Sequence, residues 1–360
     1  MRDAPRWFIG RAQGARPMKV LVAMSGGVDS SVAAALVAEA GHEVIGATMK
    51  LWGGESDRGC CSVGDVDDAR RVAQQVGISH YVFNFSEEFD RRVVDPYVEG
   101  HAAGLTPNPC IECNRHLKFD RLLRRADQLG FDAVATGHHA RIVTGADGRP
   151  ALRRSADAAK DQSYVLHMIP GDRLAKLMFP IGEMTKAEVR AKATSMGLET
   201  ASKPDSQDVC FVSGSGGREA FLSSRIPLHP ARVVDEEGRH LGEVPALELV
   251  TVGQRRGLGP AVGDRYAVSV DPGSATVTVA SPQALQVTSV SVTSVSWVHG
   301  EPGEDEALLA QMSAHGAPVG ARWDRAGLVK LDVAVRRVAP GQSVVLYRGD
   351  LVVGGGVALS

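Results

Sequence analysis

The N-terminal part of the chain alternates short apolar runs with segments whose apolar residues recur at helical spacing. The run 19–23 ends at a glycine pair and is typical of a buried parallel strand. Over 28–37, apolar residues recur every three or four positions, and Gly41 ends this predicted helix. The pattern then predicts strands at 43–49, 80–85 and 131–135, with helices over 62–76 and 116–129. This alternation predicts an α/β fold with a doubly wound parallel sheet.

Beyond residue 139 the pattern changes. A hairpin is predicted over 140–155, turning at Asp147-Gly148, and Thr185 opens the capping box of a helix that ends at Gly197. From about residue 216, glycine, proline and short alternating runs replace the helical periodicity. We therefore expect an extension that is disordered over 1–17, an α/β domain over 18–215, a small mostly β domain over 216–281 and a β-barrel over 282–360.

Composition limits the domain number and the possible binding partners only partly. The 360 residues are too many for one compact core and favour two or three domains. The net charge of −2 does not indicate a nucleic-acid-binding protein, so any such binding must rest on a local basic patch. Candidates for that patch are Arg121, Arg124, Arg125, Arg255, Arg256, Arg336 and Arg337. No apolar run reaches the roughly 20 residues that span a bilayer, and we expect a cytoplasmic protein with no membrane partner.

The segment Ser25-Gly26-Gly27-Val28-Asp29-Ser30 lies between the first predicted strand and helix. Two adjacent glycines let the backbone turn tightly and bring N–H groups near an anion, and the helix adds its positive N-terminal end. The segment lacks the Gly-Lys-Ser/Thr ending of kinases and GTPases. It resembles the PP-loop of ATP pyrophosphatases, which cleave ATP between the α and β phosphates and adenylate an acceptor oxygen. Two roles are open for Asp29: holding a magnesium ion or capping the helix.

The five cysteines are an odd number in a chain without an export signal, which argues against a disulfide framework. Cys113 follows a proline-rich approach and stands beside Arg115 and His116 at the start of a predicted helix, where we expect more thiolate. The distant Cys210 would suit persulfide transfer followed by disulfide release, if the two thiols meet. Alternatively, Cys110, Cys113 and Cys210 could hold an iron–sulfur cluster with one open iron. For Cys60 and Cys61 a structural role is favoured.

Eight motifs, taken in order, identify a family resemblance over about residues 18–360. They are SGGVDSS, GCCSVGDVDDARRVAQQVGI, TPNPCIECNRHLKFD, ATGHHARI, KDQSY, DSQDVCF, TVGQRRGLG and APGQSVVLY. The chain resembles the bacterial tRNA-specific 2-thiouridylases. The resemblance implies that ATP, with Mg²⁺, adenylates the C2 oxygen of the wobble uridine in tRNAs for Lys, Glu and Gln. A cysteine persulfide, loaded by a sulfur-relay protein or cysteine desulfurase, then delivers sulfur to C2, and AMP leaves.

The resemblance also implies roles for individual residues. Cys113 matches the nucleophile and Cys210 the persulfide carrier, and a disulfide forms between them. The positions that match ATP-binding residues are Ala23, Met24, Ser25, Gly26, Gly27, Val28, Asp29, Ser30, Met49 and Gly137. Asn108, Pro109 and Cys110 match the stretch that meets the target base. Lys160, Asp161 and Gln162 match a tRNA-contacting stretch, in which the lysine suits a phosphate contact and its neighbours could orient the loop.

The chain departs from the family pattern at two places. Position 110 is cysteine where some relatives carry aspartate, which weakens an acid–base role there. The segment 313–318 stands where many relatives carry an Arg-Tyr-Arg-like run, so tRNA contacts of the barrel are expected to differ. Three other functions stay open: a PP-loop enzyme that joins an amine to an adenylated small molecule, a tRNA-binding module without catalysis, and a cluster-dependent tRNA thiolase.

Overall fold

The computed structural model of the protein describes residues 16–51, 62–205, 209–212 and 216–359. The strands, numbered β1 to β17 along the chain, are Lys19–Ala23, Glu43–Lys50, Ser79–Asn84, Ala133–Thr136, Ala140–Thr144, Pro150–Arg154, Leu177–Met178, Ala231–Val234, His240–Val244, Tyr266–Asp271, Thr276–Ala280, Gln286–Trp297, Leu308–Gln311, Val319–Asp324, Leu328–Arg336, Ser343–Arg348 and Leu351–Ala358. The helices are Val28–Glu39, Val63–Val76, Ser86–Phe89, Asp90–Val94, Asp95–Ala102, Pro109–Glu112, Cys113–Leu122, Leu123–Gln128, Gly171–Leu174, Lys186–Ser195 and Gly217–Ser223. Short 3-10 turns are Ser163–Leu166, Glu199–Ser202, Leu247–Leu249, Pro260–Val262 and Pro282–Leu285. Within these ranges, no helix is both long enough and apolar enough to cross a membrane.

Five parallel strands form the first sheet, in the order β3-β2-β1-β4-β7, which confirms the predicted α/β fold. The central strand β1 is completely buried at Val20–Val22, as its apolar run predicted. Ala23 at its end pairs with Thr136 at the end of β4. The loops that follow these two strands are therefore neighbours at the carboxyl edge of the sheet, where open α/β sheets bind their ligands.

Local capping signals in the sequence set two helix boundaries correctly. Ser62 accepts the N–H of Asp65 and forms the capping box of helix Val63–Val76, and Gly77 ends that helix in the left-handed conformation. Thr185 and Glu188 make the same reciprocal box for helix Lys186–Ser195. Strand boundaries shifted slightly: the predicted 80–85 and 131–135 are Ser79–Asn84 and Ala133–Thr136. A short helix, Gly217–Ser223, stands where helical periodicity was expected to end.

The C-terminal part contains a closed barrel, as predicted. Strands β12-β15-β14-β13-β16-β17 form its wall, and antiparallel pairing of β12 with β17 closes it. Between the α/β sheet and the barrel, β10-β11-β8-β9 form a mixed four-stranded sheet in which β11 and β8 run parallel. The architecture matches the expected order of α/β, mostly β and barrel parts, while the domain boundaries at 215 and 281 stay predictions.

The predicted hairpin forms, but it belongs to a different sheet from the one its position suggests. Strands β5 and β6 pair with Ala140 opposite Arg154, around the turn at Asp147-Gly148. Strand β6 then pairs with β17, Leu351 opposite Arg153, so the hairpin extends the barrel sheet. A segment from the middle of the expected α/β domain thus fastens that domain to the barrel.

The barrel also holds the segment that leads to the cysteine motif. Thr106 donates its N–H to the carbonyl of Pro340 at 2.7 Å and accepts the Gln342 side-chain amide at 2.5 Å. Between Pro340 and Gln342, Gly341 has φ +90°, and a Cβ there would lie 3.0 Å from the Thr106 nitrogen. Only glycine combines this left-handed backbone with so close an approach. The turn 339–342 therefore fixes the position of the segment that leads to the cysteine motif.

Gly341→Ala is expected to destabilise the barrel more than Gly349→Ala, a matched change in the same barrel. Gly349 also has positive φ (+62°), but a Cβ there would meet nothing within 4 Å. Each change costs about 1 kcal/mol for the left-handed conformation, and Gly341→Ala adds about 1–3 kcal/mol for overpacking against Thr106. Urea unfolding followed by the fluorescence of Trp297 and Trp323, both in the barrel, measures the difference. Equal unfolding free energies for the two variants would contradict the proposed tight contact.

Candidate active site

The glycine loop after β1 forms a tight turn into helix Val28–Glu39. Gly26 has φ +72°, and a Cβ there would lie 2.3 Å from the carbonyl oxygen of Asp65. The Ser30 hydroxyl closes the loop because it accepts the Ser25 N–H at 3.1 Å and donates to the Gly27 carbonyl at 3.1 Å. The loop thus has a fixed shape, and it places the positive end of a 12-residue helix at the carboxyl edge of the sheet.

Of two other predicted nucleotide-binding residues, Gly137 lies against this loop and Met49 lies in the neighbouring strand. Gly137 follows β4, and a Cβ on it would lie 2.5 Å from the Ser30 nitrogen and 2.6 Å from the Asp29 carbonyl carbon. Met49 is buried near the end of β2, the neighbour of β1 on its other side. The adjacent loops after β1 and β4 therefore bring together residues that are more than a hundred positions apart in the sequence.

Asp29 is the charged residue of the loop and is held by two partners. Lys186 donates to both carboxylate oxygens, at 2.7 and 2.8 Å, and the His139 Nε2 lies 3.3 Å from one of them. Burial acts to raise the pKa of Asp29, but the hydrogen bonds from His139 and Lys186, with their charges, outweigh it and lower the pKa. Asp29 is therefore ionised at neutral pH and is paired outside its own helix, while its role stays a prediction.

A second carboxylate, Asp205, gathers three cations. Lys160 lies 2.8 Å from one oxygen, while Lys186 and Arg190 lie 2.8 and 2.7 Å from the other. Burial acts to raise the pKa of Asp205, and the hydrogen bonds and charges of Lys160 and Lys186 reverse this and lower the pKa to about 2. Lys186 thus bridges Asp29 and Asp205.

Sequence reasoning missed Lys186, although a signal was present. It is the first residue of helix Lys186–Ser195, where the helix dipole disfavours a cation. A lysine at that position, inside a well-formed capping box, indicates that something outside the helix holds it. No local sequence pattern identifies the partner of Lys186, because Asp29 is 157 residues away.

The stretch Lys160-Asp161-Gln162 lies at this same cluster. Asp161 is almost completely buried and accepts hydrogen bonds from Ser155, Ser163 and Arg154, so it shapes its own loop. Gln162 accepts the N–H of His139 at 2.8 Å and donates its own N–H to the His139 carbonyl at 2.8 Å. This reciprocal pair positions the histidine against Asp29. Contact of the stretch with tRNA stays a prediction.

The cysteine motif begins a helix earlier than the sequence suggested. The helix was expected from His116, but it starts at Pro109, with Asn108 as the cap that accepts the Cys110 N–H at 3.1 Å. Proline is well tolerated at the first helical position, where no N–H is needed, so the second proline starts the helix rather than extending the approach. Cys110 is therefore the exposed cysteine of the first turn, and Cys113 is buried at the start of the π-helical segment Cys113–Leu122.

The two predicted catalytic cysteines border one apolar cluster. Cys113 is one of its buried members, together with Met49, and Cys210 is half-buried and packs against it. Phe211, the neighbour of Cys210, makes edge-on ring contacts with Phe89 and with Tyr97. The same cluster thus contacts both cysteine segments and Ala23 at the end of β1.

A metal cluster needs several cysteine or other donor side chains close together. In the described ranges, which include Cys110, Cys113 and Cys210, no three His, Cys, Asp or Glu side chains are grouped closely enough to hold a metal ion. Cys60 and Cys61, for which a structural role was predicted, lie outside the described residues.

Asn114, next to Cys113, is a further residue that sequence reasoning did not select. It is 2% exposed, its side-chain amide donates to the Val165 carbonyl at 3.0 Å, and its Oδ1 is buried without a hydrogen-bond partner in the described part of the chain. The pairing ties the cysteine helix to the segment that follows Gln162. An unpartnered buried oxygen beside the predicted nucleophile is a candidate acceptor for a ligand N–H.

Several of the candidate basic residues are engaged within the protein. Arg121 pairs with Glu88 at 2.7 Å, Arg124 pairs with Asp120, and Arg125 lies over the Phe83 ring. Arg255 pairs with Asp264 and Arg336 lies over the Tyr266 ring. Their joint action on a nucleic acid stays a prediction.

Known proteins share both the α/β part and the barrel. A family model described as the tRNA methyl transferase HUP domain matches residues 18–214, and one described as the aminomethyltransferase beta-barrel domain matches 287–358. The tRNA-specific 2-thiouridylase MnmA of Chloroflexus aurantiacus is 49% identical over 94% of this chain and 97% of its own. Proteins of the same name from Roseiflexus castenholzii and Mycobacteroides abscessus are each 46% identical over 94% of this chain, covering 98% and 99% of their own. Among solved structures, the U34-tRNA thiolase NcsA from Methanococcus maripaludis is similar over 60% of this chain and 66% of its own, with 19% identity and a TM-score of 0.37.

The ion pairs of Asp205 predict a specific pH dependence of stability. Its folded pKa of about 2 lies below the value of about 3.9 in an unfolded chain. Its contribution is therefore present above about pH 4 and is lost as pH falls toward 2. The difference in unfolding free energy between the protein and Asp205→Asn should shrink by about 1 kcal/mol between pH 5 and pH 3.

Urea unfolding at the two pH values measures this change. Asp332→Asn is the matched control, since its pair with Arg322 is half-exposed on both sides and contributes little at either pH. A difference for Asp205→Asn that is the same at both pH values would contradict the assignment.

Proposed function

The chain belongs to the family of tRNA-specific 2-thiouridylases, and on this premise we propose that it uses ATP to replace the C2 oxygen of a tRNA wobble uridine with sulfur. One observation carries the proposal: Cys113 and Met49 belong to one apolar cluster, and Cys210 packs against it together with Ala23, the residue that ends β1 just before the glycine loop. Nucleotide, sulfur carrier and nucleophile would thus meet at one edge of the parallel sheet. The tRNAs for Lys, Glu and Gln are the proposed substrates.

The loop suits adenylation better than phosphoryl transfer. It lacks the lysine that contacts the β and γ phosphates in kinases and GTPases, and it offers the start of a helix to the phosphates. Asp29 is an ionised carboxylate at this place, which fits a magnesium ion that is brought by the nucleotide and keeps most of its contacts to phosphate and water. The ion would neutralise phosphate charge.

The chemistry proposed for the base has three balanced steps. The uridine C2 oxygen attacks the α-phosphorus of ATP and pyrophosphate leaves, which turns a poor leaving group into AMP. The terminal sulfur of a Cys210 persulfide then attacks C2, and AMP leaves. The Cys113 thiolate finally attacks the Cys210 sulfur of the mixed disulfide, so that 2-thiouridine is released and a Cys113–Cys210 disulfide remains. An external thiol reductant restores both cysteines, and a sulfur-relay protein or cysteine desulfurase reloads Cys210.

The uridine must leave the anticodon stack to reach this site, as bases do in other base-modifying enzymes. Asn108, Pro109 and Cys110 form the first turn of the cysteine helix and are the proposed contacts for the flipped base. Cys110 is exposed there, so it is available to an incoming nucleotide. Lys160 is the proposed phosphate contact of the neighbouring loop.

The cluster-dependent alternative uses the same cysteines in a different way. It needs Cys110, Cys113 and Cys210 to converge on one ion, and no such grouping is present among the described residues. We therefore favour the persulfide route. Full turnover by protein shown to be free of iron would separate the two routes.

Cys113→Ser and Cys210→Ser should each abolish thiolation but leave adenylation intact. The serine cannot carry a persulfide or form the disulfide, while the nucleotide loop is unchanged. Nucleoside mass spectrometry of tRNA from a deletion strain carrying each variant measures 2-thiouridine, and tRNA-dependent exchange of labelled pyrophosphate into ATP measures adenylation.

We expect at least about 100-fold less 2-thiouridine formation, because residues that act as one unit each remove most of the rate. Cys61→Ser, outside the proposed chemistry, is the matched cysteine control. Normal 2-thiouridine with either Cys113→Ser or Cys210→Ser would overturn the persulfide mechanism.

Gly137→Ala should weaken ATP binding by the folded protein, and overpacking should also lower its stability by about 1–3 kcal/mol. The added Cβ would lie 2.5 Å from the Ser30 nitrogen and must push the first turn of the helix away from its place. A loss of about tenfold or more in affinity, equal to about 1.4 kcal/mol, is expected by calorimetry with an ATP analogue. Gly64→Ala, where the nearest atom to the new Cβ is 3.7 Å away, should bind normally. Unchanged affinity in Gly137→Ala would remove Gly137 from the nucleotide site.

A further inference from the structure

Lys118 carries a half-buried positive charge that forms no ion pair in the described part of the chain. Most of the described lysines pair with a carboxylate, and Lys50, which does not, is exposed at the end of β2. Within the described ranges, the polar side-chain atom nearest to the Lys118 ammonium is the Nε2 of His138, at 3.5 Å. Burying a charge without an opposite charge beside it costs free energy. Lys118 therefore has a place for an anion.

His138 fixes the position of this ammonium group. Its Nδ1 lies 2.7 Å from the Thr136 hydroxyl, and its ring packs against Phe119 and Phe179 with centroids 5.5 and 5.8 Å away. Burial, together with the nearby charge of Lys118, holds the pKa of His138 well below its usual range, so the ring is neutral at pH 7. Since an ammonium group can only donate, the Nε2 is the acceptor, and the Nδ1–H donates to Thr136.

Lys118 lies between the glycine loop and the predicted nucleophile. His138 directly follows Gly137, where an added Cβ would lie 2.5 Å from the Ser30 nitrogen of the loop. On its other side, Lys118 belongs to the π-helical segment that begins at Cys113. A π-helix bonds residue i to residue i+5, so Lys118 stands about one turn beyond Cys113 on the same side of the helix.

The proposed chemistry brings one phosphate of ATP to such a place. The β and γ phosphates leave together as pyrophosphate. The α-phosphorus must come within bonding distance of the uridine C2 oxygen, and the C2 atom must then be reached by sulfur. The α-phosphate is thus the part of ATP that has to lie close to both the glycine loop and the cysteine segments. Its non-bridging oxygens would supply the negative charge that Lys118 lacks.

We propose that Lys118 is a further catalytic residue, whose ammonium group contacts a non-bridging oxygen of the ATP α-phosphate during adenylation. The proposal rests on the proposed function and identifies a side chain that acts on the reacting phosphorus. The bond from the uridine C2 oxygen to the α-phosphorus forms, the bond from this phosphorus to pyrophosphate breaks, and the N3 proton of the uridine passes to water. Lys118 transfers no proton. It neutralises the phosphate charge that repels the incoming oxygen.

Lys118→Met should slow adenylation by about 100-fold or more, because it removes a fixed charge that stabilises the transition state. The measurement is tRNA-dependent exchange of labelled pyrophosphate into ATP by the full-length protein, without a sulfur donor. Lys118→Arg keeps the charge and should retain a larger part of the rate. Lys192→Met is the matched control, since Lys192 pairs with Glu39 on the helix Lys186–Ser195, and it should exchange at the wild-type rate.

Two ATP analogues test whether the contact is made at the α-phosphate. Each carries sulfur in place of one of the two non-bridging α-oxygens, and the lysine contacts one of these oxygens. The ratio of the exchange rates with the two analogues should therefore differ about tenfold between wild type and Lys118→Met, the effect of one hydrogen bond to a charged group. A purely structural role would lower both rates equally and leave the ratio unchanged.

Urea unfolding separates a catalytic from a structural role in a second way. Lys118→Met should unfold at the same or a higher urea concentration than wild type, because it removes a half-buried charge that has no ion pair. If Lys118→Met does not fold, Lys118→Gln supplies the same comparison of exchange rates.

The possible results distinguish this proposal from the proposed function. Wild-type exchange in Lys118→Met, or an unchanged analogue ratio in a slow variant, would overturn the role of Lys118 alone. Normal exchange together with loss of 2-thiouridine would also overturn it, and would assign the lysine to the Cys113 thiolate instead. Absence of tRNA-dependent exchange in the wild-type protein would overturn the proposed function, and the role of Lys118 with it.

Discussion

One apolar cluster spans the α/β part and the barrel, and the placement of the cysteines depends on it. Leu21 of β1 and Cys113 belong to the same buried group as Val345 and Tyr347 of the barrel. Tyr164 lies between the two parts and donates its hydroxyl to the Ser343 carbonyl at 2.8 Å. Burial of such large side chains contributes several kcal/mol, of the order of a whole domain's net stability. The helix that carries Cys113 is consequently part of a core that the α/β part and the barrel share.

Ion pairs at one edge of the first sheet add to this apolar core. Buried or half-buried ion pairs are costly to form, and they are tolerated where other charges complete the set. Here Lys160, Lys186 and Arg190 face the carboxylates of Asp29, Asp157 and Asp205, at the edge of the sheet where helix Val28–Glu39 begins. The apolar cluster contacts both cysteine segments, and the N-terminus of helix Val28–Glu39 marks the side of the sheet that a nucleotide would occupy.

Local signals in the sequence predicted what depends on neighbours along the chain. The strand at 19–23, the capping residues Ser62 and Thr185, and the turn at Asp147-Gly148 all formed where periodicity and side-chain chemistry placed them. The start of the cysteine helix was missed because proline is read as a breaker, although it fits the first helical position.

Contacts between distant positions could not be read from local patterns. Nothing near Lys186 in the sequence points to Asp29, and nothing near Thr106 points to the turn at Pro340. Motif resemblance supplied Cys113, Cys210 and the loop residues, but not the side chains that orient them. Tertiary contacts of this kind depend on the whole fold, so a single sequence does not predict them.

The β5–β6 hairpin pairs with β17 through β6, and this pairing limits how the chain can be divided. The two segments that match family models, 18–214 and 287–358, meet along a strand pair and share a core, so a cut between them would leave an open strand edge at β6. Exposed edges of this kind invite pairing with other chains and aggregation. An isolated N-terminal fragment would therefore be prone to self-association in the cell, even if every residue of the predicted nucleotide site were kept.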